Sequence, residues 1–126
     1  MKVNLIAPLL LTGQLFDLIK ENGADILNVG STVGTKAYED QCAYGASKWA
    51  LRGVSQNWQL ELKKTKCRVI QFNPGGFKSD LVKKYDSQNV DLSAYMDPQD
   101  LARFMLHILQ LPKSMEISEV LINRKD

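Results

Sequence analysis

Cys67-Arg68-Val69-Ile70-Gln71-Phe72-Asn73-Pro74-Gly75-Gly76 decides the fold. Residues 67–72 read as a strand, and the turn formers Asn73-Pro74-Gly75-Gly76 end it. Upstream, residues 43–64 place Ala43, Ala46, Ala50, Val54 and Trp58 at helical spacing. Lys63, Lys64, Lys66 and Arg68 gather at the end of that segment, where cations suit the negative end of a helix dipole. Further upstream, Ala24-Asp25-Ile26-Leu27-Asn28-Val29 is a short strand ending at Gly30, followed by a loop through Ser31, Thr32, Gly34 and Thr35 to about Gln41. Residues 1–21 read as a helix closed by Asn22-Gly23. Downstream, residues 77–95 are polar and read as short helix and loop. Asp97-Pro98-Gln99-Asp100 then supplies an N-cap, a first-turn proline and a first-turn acid. Leu101, Phe104, Met105, Ile108 and Leu109 form one apolar face before Pro112, and Val120-Leu121-Ile122 is a last strand. Helix, strand, helix, strand, helix, strand predicts an α/β fold: a parallel sheet with right-handed crossovers and flanking helices.

The 126 residues suit a single domain (1–126), and 44% hydrophobic residues suffice for a core. A net charge of +2 is too near balance for a protein built to neutralise nucleic-acid phosphates. Cys42 and Cys67 have no metal-ligand spacing and form no disulfide framework, so no metal site is expected and a reducing cytoplasm is the expected location. One histidine, His107, is too few for a histidine-rich metal site or a histidine-based triad. The apolar run Val3–Phe16 contains Asn4, Pro8 and Gln14, and Asp17 and Lys20 cut it short of a membrane span. It therefore reads as a helix that is apolar nearly all round and buried on more than one side. Trp49 and Trp58 read as packing residues, and Cys42 as a partly buried free thiol.

Tyr44 and Lys48 lie four residues apart on the 43–64 helix and so share a face. A phenol with its ordinary pKa near 10 is a poor acid–base catalyst at neutral pH. An ammonium ~6 Å away at an effective dielectric of ~20 contributes roughly 3 kcal/mol towards the phenolate. Ser31 stands just past the end of the first strand, where ligands bind in open α/β sheets, and its hydroxyl is placed to polarise a carbonyl. Asn73-Pro74-Gly75-Gly76 lies past the next strand, so two strand-end loops and one helix start converge.

With these residues the chain resembles the catalytic half of a short-chain dehydrogenase/reductase. The family's Tyr-x-x-x-Lys is Tyr44 and Lys48, its strand-end serine is Ser31, and its Pro-Gly motif is Pro74-Gly75, with Ser79 where a threonine is common. Asn4, in Val-Asn-Leu-Ile-Ala-Pro, matches the family's asparagine on the preceding helix.

The resemblance implies an NAD(P)-dependent oxidoreductase acting on a small carbonyl or alcohol substrate. Tyr44 would be the general acid/base, Ser31 would hold the substrate oxygen, and Lys48 would assist the tyrosine and hold the nicotinamide ribose. Asn4 would hold a proton-relaying water, for which Pro8, lacking an N–H, leaves the Asn4 carbonyl without its helical partner. Pro74, Gly75, Phe77 and Ser79 would line the nicotinamide end. The cofactor implied is NADP or NAD, and the ending Glu119–Arg124 resembles reductases that often use NADP.

The family's glycine-rich phosphate-binding turn and Asn-Asn-Ala-Gly segment do not occur in these residues. The expectation is a partial Rossmann-like sheet comprising strands five to seven of the family fold. Strand 24–29 would then have an open edge, and the chain is expected to self-associate through it or through the helices at 1–21 and 43–64. Two functions stay open: the oxidoreductase, and a non-catalytic remnant, interaction module or half that pairs with a separate nucleotide-binding chain.

Overall fold

The computed structural model describes residues 1–80, 82 and 91–125. Residues 81 and 83–90 of the polar stretch 77–95, read as short helix and loop, lie outside them. The architecture is a three-stranded parallel sheet of β1 (Ile26–Val29), β2 (Val69–Pro74) and β3 (Glu119–Ile122), in the order β1-β2-β3. Around it lie α1 (Ala7–Asn22), α2 (Cys42–Glu61) and α3 (Pro98–Gln110).

Side chains alternate across the sheet, as strand geometry requires. Ile26, Val69, Trp58 and Leu62 form one core cluster, joined by Leu9, Phe16 and Ile19 of α1. Ile70 and Phe72 point to the other face, where Leu101 and Ile108 of α3 cover them. Both faces of the central strand are thus covered, and every residue of β2 is buried. The α/β parallel architecture is the one read from the sequence, with shifted boundaries. Asn73 and Pro74 belong to β2: Pro74 pairs with Ile122, and the next N–H, that of Gly75, donates to the Ile122 carbonyl at 2.7 Å. Proline is tolerated there because it is the last residue of the strand.

The face of α2 that meets the sheet differs from the expected alanine stripe. Gly45, Ser47, Leu51, Ser55 and Trp58 are buried, whereas Ala43 and Ala46 are exposed. The cause is a polar chain between α2 and the carboxyl half of the sheet. Asn28 Nδ2 donates to Ser55 Oγ at 2.8 Å, and Ser55 Oγ to Gln71 Oε1 at 2.6 Å. Gln71 Nε2 then donates to Asn73 Oδ1, and Asn73 Nδ2 to Glu119 Oε1, each at 2.7 Å. Arg52 of α2 closes the chain with a bidentate pair to Glu119 at 2.6 and 2.9 Å. Gly30 is required beside it, since a Cβ there would run into the Asn73 and Gln71 amides.

Arg68 also departs from expectation. It is 4% exposed and does not join the surface lysines. It pairs with Asp25 at 2.7 Å and donates to the carbonyls of Leu109, Leu111, Pro112 and Met115, so it caps the end of α3. Asp97 caps the other end, accepting from the Gln99 N–H at 2.8 Å.

α1 follows a π-helical turn at Lys2–Ile6 and stops at Gly23, whose φ of 59° is the left-handed conformation that favours glycine. None of its residues is buried: one side packs on the core, and Leu10, Leu11 and Leu18 are 62, 61 and 57% exposed. Burial on more than one side is therefore not found within this chain. The segment Lys2–Asn22 is also long and apolar enough, by length and composition, to cross a membrane, so Asp17 and Lys20 do not cut it short. Cys42 and Trp49 lie on the exposed side of α2 and are not packing residues, whereas Trp58 is.

Candidate active site

A cleft of about 860 Å³ opens at the carboxyl ends of β1 and β2. Asn4, Ser31, Tyr44, Lys48, Pro74, Gly75, Phe77 and Ser79 all line it. These come from the turn before α1, the β1–α2 loop, the first turns of α2 and the segment after β2.

Ser31 is extended (φ −169°) and caps a 3-10 turn, its Oγ accepting from the Val33 N–H at 3.2 Å. That turn presses against α2 at Gly34, where a Cβ would stand 2.8 Å from the Lys48 carbonyl. The serine loop and the helix that carries Tyr44 and Lys48 are thereby held in fixed relation. Asn4 joins the same assembly: its Nδ2 donates to Ser47 Oγ at 3.2 Å, and Ser47 Oγ donates to the Tyr44 carbonyl at 2.7 Å.

The Lys48 ammonium lies 5.7 Å from the centroid of the Tyr44 ring and donates to the Val29 carbonyl at 3.0 Å. Burial pushes the Lys48 pKa below the ordinary lysine value. Chemically, the cleft is lined by the Tyr44 phenol, the partly desolvated Lys48 ammonium, the Ser31 and Ser79 hydroxyls and the Phe77 ring. Hydrogen-bonding groups beside an aromatic ring suit a flat polar ligand, and the volume lies within the range of small-molecule sites. Among the described residues, no cluster of histidine, cysteine and carboxylate side chains stands ready for a metal.

Several lining residues were not anticipated: Lys36, Tyr38 and Gln41 on the loop before α2, and Tyr95, Asn123 and Arg124 across the cleft. Lys36 lies over the Tyr38 ring at 5.2 Å and Arg124 over the Tyr95 ring at 4.8 Å. The pair Lys36-x-Tyr38 was the available signal, but in an unplaced loop it carries no direction. Tyr95 and Arg124 are distant in sequence from the motif and meet only through the fold.

A short chain dehydrogenase family model matches residues 1–90. Carbonyl reductase family member 4 of Xenopus laevis is 35% identical over 99 residues, covering 75% of this chain and 42% of that protein. A betaketoacyl-[ACP] reductase from Bacteroides thetaiotaomicron superposes with a TM-score of 0.79 at 25% identity, over 97% of this chain and 50% of that one. A metagenomic short-chain oxidoreductase in complex with NADP gives 0.75 at 28% identity, over 98% and 48%. The chain belongs to the short-chain dehydrogenase/reductase family of oxidoreductases. It spans about half the length of the relatives it matches.

Proposed function

We propose that this chain carries the catalytic centre of an NAD(P)-dependent oxidoreductase that interconverts a small carbonyl compound and its alcohol. The observation that carries this reading is the convergence of Tyr44, Lys48 and Ser31 on one cleft, with the lysine anchored to the end of β1. The nicotinamide, when bound, supplies or accepts the hydride. In the reducing direction Ser31 Oγ donates a hydrogen bond to the carbonyl oxygen, and Tyr44 Oη gives that oxygen its proton. Lys48, whose ammonium lies 5.7 Å from the Tyr44 ring centroid, would hold the ribose diol of the nicotinamide. Asn4 would hold, through its carbonyl, a water that passes protons on from the lysine.

Pro74, Gly75, Phe77 and Ser79 hold the nicotinamide end. NADP is the favoured form, supported by the resemblance of residues 119–124 to reductases that often use it; related structures hold NADP in one case and NADH in another. Residues to grip the pyrophosphate and adenine are not recognisable in these 126 positions. Self-association is part of the proposal: the exposed apolar faces of α1 and α2 and the open edge of β1 are the surfaces for it. The free thiols suit a reducing cytoplasm.

The test is to follow loss of the reduced-nicotinamide absorbance with the chain, NADPH and a panel of ketones. Turnover that falls at least about 100-fold in Tyr44→Phe supports the reading. Absence of turnover with every ketone, or turnover equal in the variant, favours a non-catalytic module.

A further inference from the structure

The charge lining the cleft is one-sided. Its described walls carry three cations, Lys36, Lys48 and Arg124, and no carboxylate; Glu39 and Asp40 follow in sequence but do not line it. Lys48 is committed to Val29 and the Tyr44 face. Lys36 makes no ion pair with a described residue, and its backbone is held in place. Its N–H donates to the Thr32 carbonyl at 3.3 Å, as does that of Thr35 at 3.0 Å, in a turn wedged against α2. Tyr38 is 44% exposed beneath the Lys36 ammonium. The Thr32 hydroxyl and Lys36 beside its phenol lower its pKa. Thr32 also approaches the other wall: a Cβ at Gly75 would stand 3.6 Å from its methyl and 3.3 Å from the Arg124 nitrogen.

We propose that Lys36 and Tyr38 form an anion-binding subsite at the mouth of the cleft, and that the carbonyl compound handled there carries a carboxylate. One ammonium and one phenol supply a single positive charge and a neutral donor, which matches a monoanion. A dianionic phosphate ordinarily takes several cations or a helix N-terminus. The cleft then orients its substrate from both ends: the anion on Lys36 and Tyr38, the carbonyl on Ser31 and Tyr44. The identity of the anion's bearer rests on the function proposed above; binding of the anion is read without turnover.

Acetoacetate and its neutral methyl ester are titrated into the isotopically labelled chain and followed by the amide resonances of Thr32, Lys36 and Tyr38. Acetoacetate is expected to saturate these shifts in the millimolar range, at least about tenfold tighter than the ester. Lys36→Gln should abolish that preference, Lys36→Arg should retain it, and added salt should weaken it. Lys36 is exposed, so the variants should keep the native circular dichroism. Equal binding of acid and ester, binding of neither, or a preference that survives Lys36→Gln overturns the proposal. So does a Lys36→Gln defect confined to NADPH, which would give the subsite to cofactor phosphate. Carboxylate binding without hydride transfer would sink the oxidoreductase reading alone; hydride transfer indifferent to the carboxylate would sink the subsite alone.

Discussion

The Lys48 ammonium donates to the carbonyl of Val29 at 3.0 Å, joining the second turn of α2 to the last residue of β1. This bond ties the side chain to the sheet rather than to its own helix. It also draws the ammonium into a setting where its charge is disfavoured, because burial lowers its pKa.

Lys48→Met should therefore raise thermal stability at neutral pH by a few degrees while removing activity. A lysine whose folded pKa lies below its unfolded value destabilises the fold most when fully protonated, and that penalty fades as pH rises towards the ordinary lysine value of 10.5. The melting-temperature difference between variant and wild type should accordingly shrink in alkaline buffer. A variant less stable than wild type at pH 7 would show that the bond to Val29 outweighs the desolvation.

Asp25 should behave in the opposite sense. Burial works against its ionisation, but hydrogen bonds and charge from Arg68 and Lys113 outweigh it, and its pKa is held below the ordinary carboxylate value. The stability it contributes is complete above the unfolded value of 3.8 and is lost as pH falls through the lower folded value. Asp25→Asn leaves the Arg68 guanidinium without its carboxylate and should cost roughly 3–5 kcal/mol in urea unfolding near pH 7. The deficit should narrow in acid.

Gly30→Ala tests the polar chain beneath the cleft. The added methyl cannot coexist with the Gln71 and Asn73 amides where they stand. The expected loss is roughly 2–4 kcal/mol, from overpacking together with a broken buried hydrogen bond. Chemical denaturation measures it. A loss within experimental error would show that the Asn28–Ser55–Gln71–Asn73 chain can shift freely.

These results bear on how much of the molecule could be read in advance. The three strands and three helices were legible because apolar periodicity and turn formers mark them, and Tyr44, Lys48 and Ser31 were legible because their spacing is local. The buried polar chain was not. Asn28 and Gln71 read only as strand residues and Asn73 as a turn former until α2 brings Ser55 and Arg52 over them. Arg68 likewise reads as a surface cation because its four carbonyl partners lie more than 40 positions away. The exposed Leu10, Leu11 and Leu18 read as core because composition shows that a face is apolar without showing what covers it.

The proposed self-association is supported by that exposed face. The wild-type chain should sediment above its monomer mass of 14.2 kDa at tens of micromolar. Leu11→Glu combined with Leu18→Glu should return it to monomer if α1 is the contact. A monodisperse wild-type monomer would remove the proposal.

The central claim is proton transfer from Tyr44 to a carbonyl oxygen coupled to hydride delivery in this cleft. Its most direct test is mass spectrometry of the alcohol formed from a ketone with NADPH deuterated at the transferring position. The account predicts one deuterium at the carbinol carbon of the alcohol formed by the wild-type chain, and at least about a 100-fold fall in the amount of that labelled alcohol in Tyr44→Phe under the same conditions. An unlabelled product, or equal amounts of labelled alcohol with and without the Tyr44 hydroxyl, would contradict it.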